Sequence, residues 1–327
     1  MKRLYQIAEW GYYQFWKVIA FLFFGLPVIG GIMTKKWFWK EKGALILVYH
    51  KLSGQAFEKH ISFIRRNWQI LPLDDITSLM RQGESLPISV VITFDDGYKS
   101  NYTDVFPILK KYGIPMTLYL VSGMIGTEKE FWWQSLTNLR AKGIEVPSHG
   151  YLKSIPEEQR IQEMNDLFAR HQYTPRSASN LSWDEVKEMV ASGLVNIGSH
   201  TRDHLCLTLT SPENATNEIA NSKKELESAL SIKVDHFSYP NGDYSSYHVS
   251  VCKQVGYLTA TTAMPGVNTA KTNPYELRRI LIRPDETLPG LALKITGLGH
   301  RLGQDYFTMK HLEERKGLLG QPRRHSE

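Results

Sequence analysis

The chain is 327 residues long, 42% hydrophobic and 22% charged, with 39 Lys/Arg against 33 Asp/Glu and a formal net charge of +6. Length and apolar content together exclude wholesale disorder and suit one large α/β domain. The basic excess sits at the ends: seven Lys/Arg against two Glu in residues 1–42, and ten against six acids in 278–327, around a mildly acidic middle. That pattern suits an anionic membrane surface and argues against nucleic-acid binding, which wants basic residues beside the functional groove.

At the N-terminus, Val18 to Thr34 carries no charge and is flanked by Trp10, Tyr12, Tyr13, Phe15 and Trp16 before it and Trp37, Phe38 and Trp39 after it. At about 1.5 Å per residue the run is roughly 26 Å long against a hydrocarbon core of about 30 Å. Pro27 and Gly30-Gly31 weaken it further. Three readings stay open: a spanning anchor, an interfacial or re-entrant element, and a cleaved signal peptide. No small-residue cleavage site follows, and the leading region is long, which disfavours the last. Lysines on both sides leave the orientation undecided. Residues 1–42 are therefore expected to form a membrane-associated segment with membrane lipids as partners, in a bacterial cell envelope.

From residue 43 the pattern changes. Apolar, β-rich segments near 44–49, 88–94, 114–121, 194–198, 234–239, 256–262 and 278–283 alternate with helical patterns at 55–68, 74–82, 101–112, 182–192, 212–231 and 243–254. Such alternation predicts parallel strands with crossover helices over 43–285. Seven strands rather than eight leave an incomplete barrel with a groove at its mouth. The segment 122–180, with Phe131-Trp132-Trp133 and a polar helix around 157–170, is too long for an ordinary connection and is expected to cap the active-site face. Trp132 and Trp133 are candidates for stacking on a sugar or for the insertion's own small core. Residues 286–327 read as a basic tail. Two cysteines, Cys206 and Cys252, establish neither a disulfide framework nor a redox compartment.

Two motifs carry chemistry. Thr93-Phe94-Asp95-Asp96-Gly97 closes the β-branched run Ile88 to Ile92, so two carboxylates emerge where a buried strand ends. One can bind metal and the other take protons, although Asp-Asp-Gly after a strand also reads as a plain turn. Ile197-Gly198-Ser199-His200-Thr201-Arg202-Asp203-His204 follows another apolar stretch, and histidines four apart share a metal if the segment turns helically. Both motifs fall at strand ends, where α/β folds place their chemistry, and an Asp plus two His is a typical open zinc set.

In order and spacing, these motifs and the later Phe237-Ser238-Tyr239-Pro240-Asn241-Gly242 resemble the successive motifs of the polysaccharide deacetylases, carbohydrate esterase family 4, over about Leu45 to Ile282. The resemblance implies a distorted (β/α) barrel, here an incomplete (β/α)7 barrel, and metal-dependent removal of acetyl groups from sugars. It makes Asp96, His200 and His204 the metal ligands and Asp95 the general base. A backbone N–H at Asn241 would receive the oxyanion, though Pro-Asn-Gly also reads as a simple turn. Tyr239 joins Trp132 and Trp133 as an expected substrate contact. The late Leu-x-His acid motif is missing, since His300 stands in a glycine-broken stretch; His50, ending the strand 44–49, fills that role as in permuted members of the family. Ser238 stands where the family often has an arginine that orients the base, and Arg279 is the expected replacement, with Arg278 and Arg283 as competitors. The expected activity is N-deacetylation of an N-acetylated sugar in a polysaccharide or lipid-linked glycan. Zinc is the first choice of divalent metal. Deformylation or O-deacetylation of a glycolipid, and an inactive glycan-binding barrel, are the alternatives.

Overall fold

The computed structural model describes residues 43–296. The first strand, β1 (Ala44–Tyr49), is buried at all six positions, and β3 (Ser89–Asp96) at all eight. Continuous apolar runs of this kind are what parallel strands covered on both faces require. Between them come α1 (Gly54–Asn67), whose Ser53 hydroxyl caps Ala56 N, the two-residue β2 (Gln69–Ile70) and α2 (Leu73–Arg81). After β3 a π-helical turn over Asn101–Val105 runs into α3 (Phe106–Tyr112), so the single helix expected over 101–112 changes pitch midway. β4 (Met116–Leu120) leads into the insertion, which holds α4 (Trp132–Ala141), α5 (His149–Leu152) and α6 (Glu157–Arg170). The alternation resumes with α7 (Trp183–Ala191), β5 (Val195–Ser199), α8 (Pro212–Leu230), β6 (His236–Ser238), α9 (Ser246–Val255), β7 (Thr259–Thr261), β8 (Arg279–Leu281) and α10 (Leu288–Thr296).

All strand pairs are parallel, in the order β7-β6-β5-β4-β3-β1-β8, with β2 beside the start of β3. The two edges almost meet: Leu277 N donates to Ala260 O (2.9 Å) and Thr262 N to Leu277 O (2.8 Å), so the sheet nearly closes into the expected incomplete barrel. Alternate strand residues divide the core. Leu45, Leu47, Tyr49, Val90, Ile92 and Phe94 pack with the surrounding helices, whereas Ala44, Ile46, Val91 and Tyr119 cluster with Leu73 and Ile76 of α2. Helix α2 thereby closes the end where strands begin, and Asp74 ties it to β6 through His236 Nε2 (2.7 Å). Gly198 is required on β5, because a Cβ there would stand 2.3 Å from the Tyr119 ring that fills the barrel.

The insertion carries its own apolar cluster of Leu136, Leu139, Leu152, Ile155, Met164 and Leu167, with Trp132 packed against it. At the other end, Leu291 and Ile295 of α10 belong to the main core, so residues 288–296, expected within the tail 286–327, pack against the barrel. The apolar run 18–34 and His300 lie outside the described residues. Among the described residues no helix is long and apolar enough to cross a membrane.

Candidate active site

At the end of β3 the backbone turns into the left-handed region, with φ 76° at Asp96 and 78° at Gly97. Strand neighbours point to opposite faces, and this turn is what brings both carboxylates to one place: Asp95 Oδ2 and Asp96 Oδ1 stand 3.8 and 3.7 Å from His200 Nε2. Of the six non-glycine residues with positive φ among the described residues, four belong to the three motifs, namely Asp96, Thr201, His204 and Asn241. Backbone held in sparsely populated conformations clusters at functional sites. His200 and His204 come together through this left-handed loop and not through the helical turn expected from their spacing; Thr201 Oγ1 accepts His204 N (3.0 Å) and so closes it.

Three observations fit this cluster to a cation. Asp96 Oδ1 is buried without a hydrogen-bond partner among the described residues, and His204 Nε2 and His200 Nε2 lie 3.6 and 3.7 Å from it. Ligand atoms bound tetrahedrally at about 2.0 Å sit roughly 3.3 Å apart. His200 Nδ1 donates to Ser238 O (2.8 Å), which fixes the proton on that nitrogen and leaves the Nε2 lone pair facing Asp96. Burial lowers the pKa of both histidines, of His204 well below its ordinary value, so both rings are neutral, the ligand form. Three side chains of this kind leave a fourth position for water and substrate.

Asp95 is built for a different task. Arg279, from β8 across the nearly closed barrel, grips it with both guanidinium nitrogens, Nη1 to Oδ1 (2.7 Å) and Nη2 to Oδ2 (2.8 Å). Nη2 also donates to Ser238 Oγ (2.9 Å) and Nε to Thr262 O (3.0 Å). Burial alone would raise the Asp95 carboxyl; Arg279, through its charge and its paired hydrogen bonds, overcomes it and holds the group at about 2. Asp95 is therefore a carboxylate across the physiological range. Arg279 occupies the place expected of it, and Ser238 shares the guanidinium.

The remaining expected residues divide. His50 follows β1 directly, half-buried, with its carbonyl accepting Asn101 Nδ2 (3.1 Å). Asn241 follows β6 at φ 57°, and its Nδ2 donates to Cys206 Sγ (3.4 Å). Trp133 lies in T-shaped contact with His204 (4.7 Å between centroids) and stacks on Phe131 (4.4 Å). Trp132, one residue earlier on α4, faces the insertion's core instead and carries Arg160 over its ring. Tyr239 corrects an expectation: it is fully buried, stacked on Tyr244, and donates its hydroxyl proton to Tyr275 O (3.2 Å), so no sugar reaches its side chain. Tyr98 was not anticipated. Its hydroxyl accepts Trp133 Nε1 (3.0 Å) and acts on the Asp96 carboxylate, while Lys51 lies over its ring (4.1 Å). Its place just after the Asp-Asp-Gly turn was the available signal.

A nearly closed parallel barrel, with its chemistry at the ends of β1, β3, β5, β6 and β8, is the architecture of a hydrolytic enzyme with an open Asp-His-His cluster. The chain belongs to the polysaccharide deacetylase family, whose sequence pattern matches residues 82–260, more than half of its length. It is 27% identical over 263 residues to YxkH of Bacillus subtilis (strain 168), named as a polysaccharide deacetylase, covering 77% of this chain and 76% of that one. It is 24% identical over 284 residues to the poly-beta-1,6-N-acetyl-D-glucosamine N-deacetylase of Staphylococcus aureus (strain MRSA252), covering 77% and 82%. IcaB from Ammonifex degensii shares the fold at a TM-score of 0.58 and 23% identity, over 78% of this chain and 97% of that one. Streptococcus pyogenes deacetylase PplD does so at 0.57 and 21%, over 78% and 99%. The chain is thus a hydrolase acting on carbon–nitrogen bonds other than peptide bonds.

Proposed function

We propose that the chain removes N-acetyl groups from an N-acetylated glycan with a divalent cation, zinc first, held by Asp96, His200 and His204. The observation that carries this reading is the pairing of an Arg279-gripped, ionised Asp95 with an unpartnered Asp96 oxygen beside two histidine Nε2 atoms. When bound, such a cation polarises the amide carbonyl and lowers the pKa of the attacking water from about 15.7 to about 7. A carboxylate held near 2 is a weak base on its own, which is why its task suits water already made acidic. Asp95 accepts the water's proton as the carbon–oxygen bond forms. The backbone N–H at Asn241 receives the negative charge that develops on the acetyl oxygen. His50 then protonates the departing amine as the carbon–nitrogen bond breaks, leaving acetate and a glucosamine-type product. Trp133 offers its ring face as a wall beside His204 for the acetyl methyl or the sugar.

Among glycans, β-1,6-linked poly-N-acetylglucosamine is the substrate to try first, since the Staphylococcus aureus relative carries it in its name. The uncharged run at 18–34 supports attachment to the cell-envelope membrane, which also brings lipid-linked glycans within reach. The test is acetate release from N-acetylglucosamine oligomers by zinc-loaded protein. Asp95→Asn is expected to abolish release while metal binding persists; an Asp95→Asn protein as active as wild type would overturn the assignment of the base.

A further inference from the structure

Within itself, the loop that carries both histidines is closed by Thr201 Oγ1 accepting His204 N (3.0 Å). Thr201 and His204 are non-glycine residues at φ 66° and 55°, and such conformations persist only where the surroundings over-determine them. The decisive partner comes from another element. Glu218 lies on α8, buried, and its Oε2 accepts both Arg202 N (3.0 Å) and Asp203 N (2.8 Å). Apart from the Thr201 and His204 amides themselves, those are all the backbone amides between the two histidines. From the opposite side, Ser122 N donates to Thr201 O (3.2 Å) and Gly123 N to Arg202 O (2.8 Å). The loop is thus clamped at its donors by Glu218 and at its acceptors by the segment after β4.

A second carboxylate on the same helix serves as the natural comparison. Glu225 binds Arg202 Nε (2.9 Å) and accepts Ser122 Oγ (2.5 Å), side chains only, and touches no amide of the loop. Of these two acids, Glu218 is the one that binds the loop's main chain.

We infer that Glu218 is a positioning residue for the cation site: by holding the Arg202 and Asp203 amides it sets the placement of His200 and His204, and with it the affinity and coordination geometry for a divalent cation. The inference rests on the metal reading proposed above. Outer-shell partners of this type are worth about 10–100-fold in metal affinity.

The test uses the full chain, with zinc affinity measured by competition against a chromogenic chelator and coordination geometry read from the visible absorption of the cobalt(II)-substituted protein. Glu218→Gln keeps the side-chain size and the single oxygen that both amides need, so it is the conservative control, whereas Glu218→Leu keeps the bulk and removes every acceptor. Glu218→Leu is expected to weaken zinc binding about 10–100-fold and to change the cobalt spectrum, while Glu218→Gln and Glu225→Gln stay close to wild type. Glu218→Ala should match or exceed the Leu effect; if neither folds, Glu218→Met, which keeps the length without an oxygen, carries the test. Wild-type affinity and spectrum in Glu218→Leu would overturn the inference and leave the metal reading standing. Equal weakening in Glu225→Gln would also overturn it, since the effect would then be one of charge or helix stability. Failure of the wild-type protein to bind either ion would instead sink the metal reading, and this inference with it.

Discussion

Replacing Arg279 with methionine keeps much of the aliphatic length and deletes the fork that holds Asp95. The bidentate pair is buried, with both side chains 3% exposed, so solvent offers little compensation. Asp95 sits at about 2 against an ordinary 3.8. At 1.36 kcal/mol per unit this difference is worth about 2 kcal/mol of folding stability. Because the folded value lies below the unfolded one, that contribution is present above about pH 4 and lost as pH falls through about 2. Removing the guanidinium leaves burial largely unopposed, so the carboxyl rises. An uncompensated buried charge costs about 3–5 kcal/mol, which in a domain of this size lowers Tm by on the order of 10 °C. In a pH series of kcat/KM for acetate release, Arg279→Met should move the acid limb to higher pH. Arg279→Lys, which restores a point charge without the fork, should recover part of the shift. An acid limb and Tm both unchanged in Arg279→Met would refute the reasoning.

His50→Ala should lower kcat by about 10²–10⁴-fold with zinc affinity unchanged, as expected for loss of a general acid; undiminished turnover would remove His50 from the reaction. Adjacent tryptophans should behave differently on the same oligosaccharide. Trp133→Ala, which strips the ring beside His204, should reduce kcat/KM, whereas Trp132→Ala should chiefly destabilise the insertion's core, by about 3–5 kcal/mol if the site does not collapse, seen as a lower Tm. The reverse pattern would exchange their roles.

Much of the site was legible because its chemistry lies at strand ends. A buried apolar run followed by Asp-Asp-Gly, and another followed by His-x-x-x-His, is readable without coordinates, and the alternation of strand and helix gives the barrel. Three-residue strands are harder. Whether Arg278, Arg279 or Arg283 faces Asp95 depends on register, and pairing of Arg279 with Ile46, a residue of the barrel's inner cluster, decides it. Tyr239 misleads for a related reason: the motif fixes backbone at Asn241, while the tyrosine ring turns into the core on the opposite side of the strand. Neighbours on a helix diverge by about 100°, which separates Trp132 from Trp133. Helix α10 was hidden by the charge of its surroundings, although Leu291 and Ile295 carry a helical spacing. Glu218 lies 14 positions beyond His204, and only the fold brings it under the loop.

Zinc titration of chelator-stripped protein, with acetate release from N-acetylglucosamine oligomers as the readout, bears most directly on the central claim. Activity should be absent in the stripped protein, rise in proportion to added zinc and level off at one equivalent per chain, with His200→Ala remaining inactive throughout. Full acetate release by the stripped protein, or no release at any zinc level from a wild-type chain that binds the ion, would contradict the account.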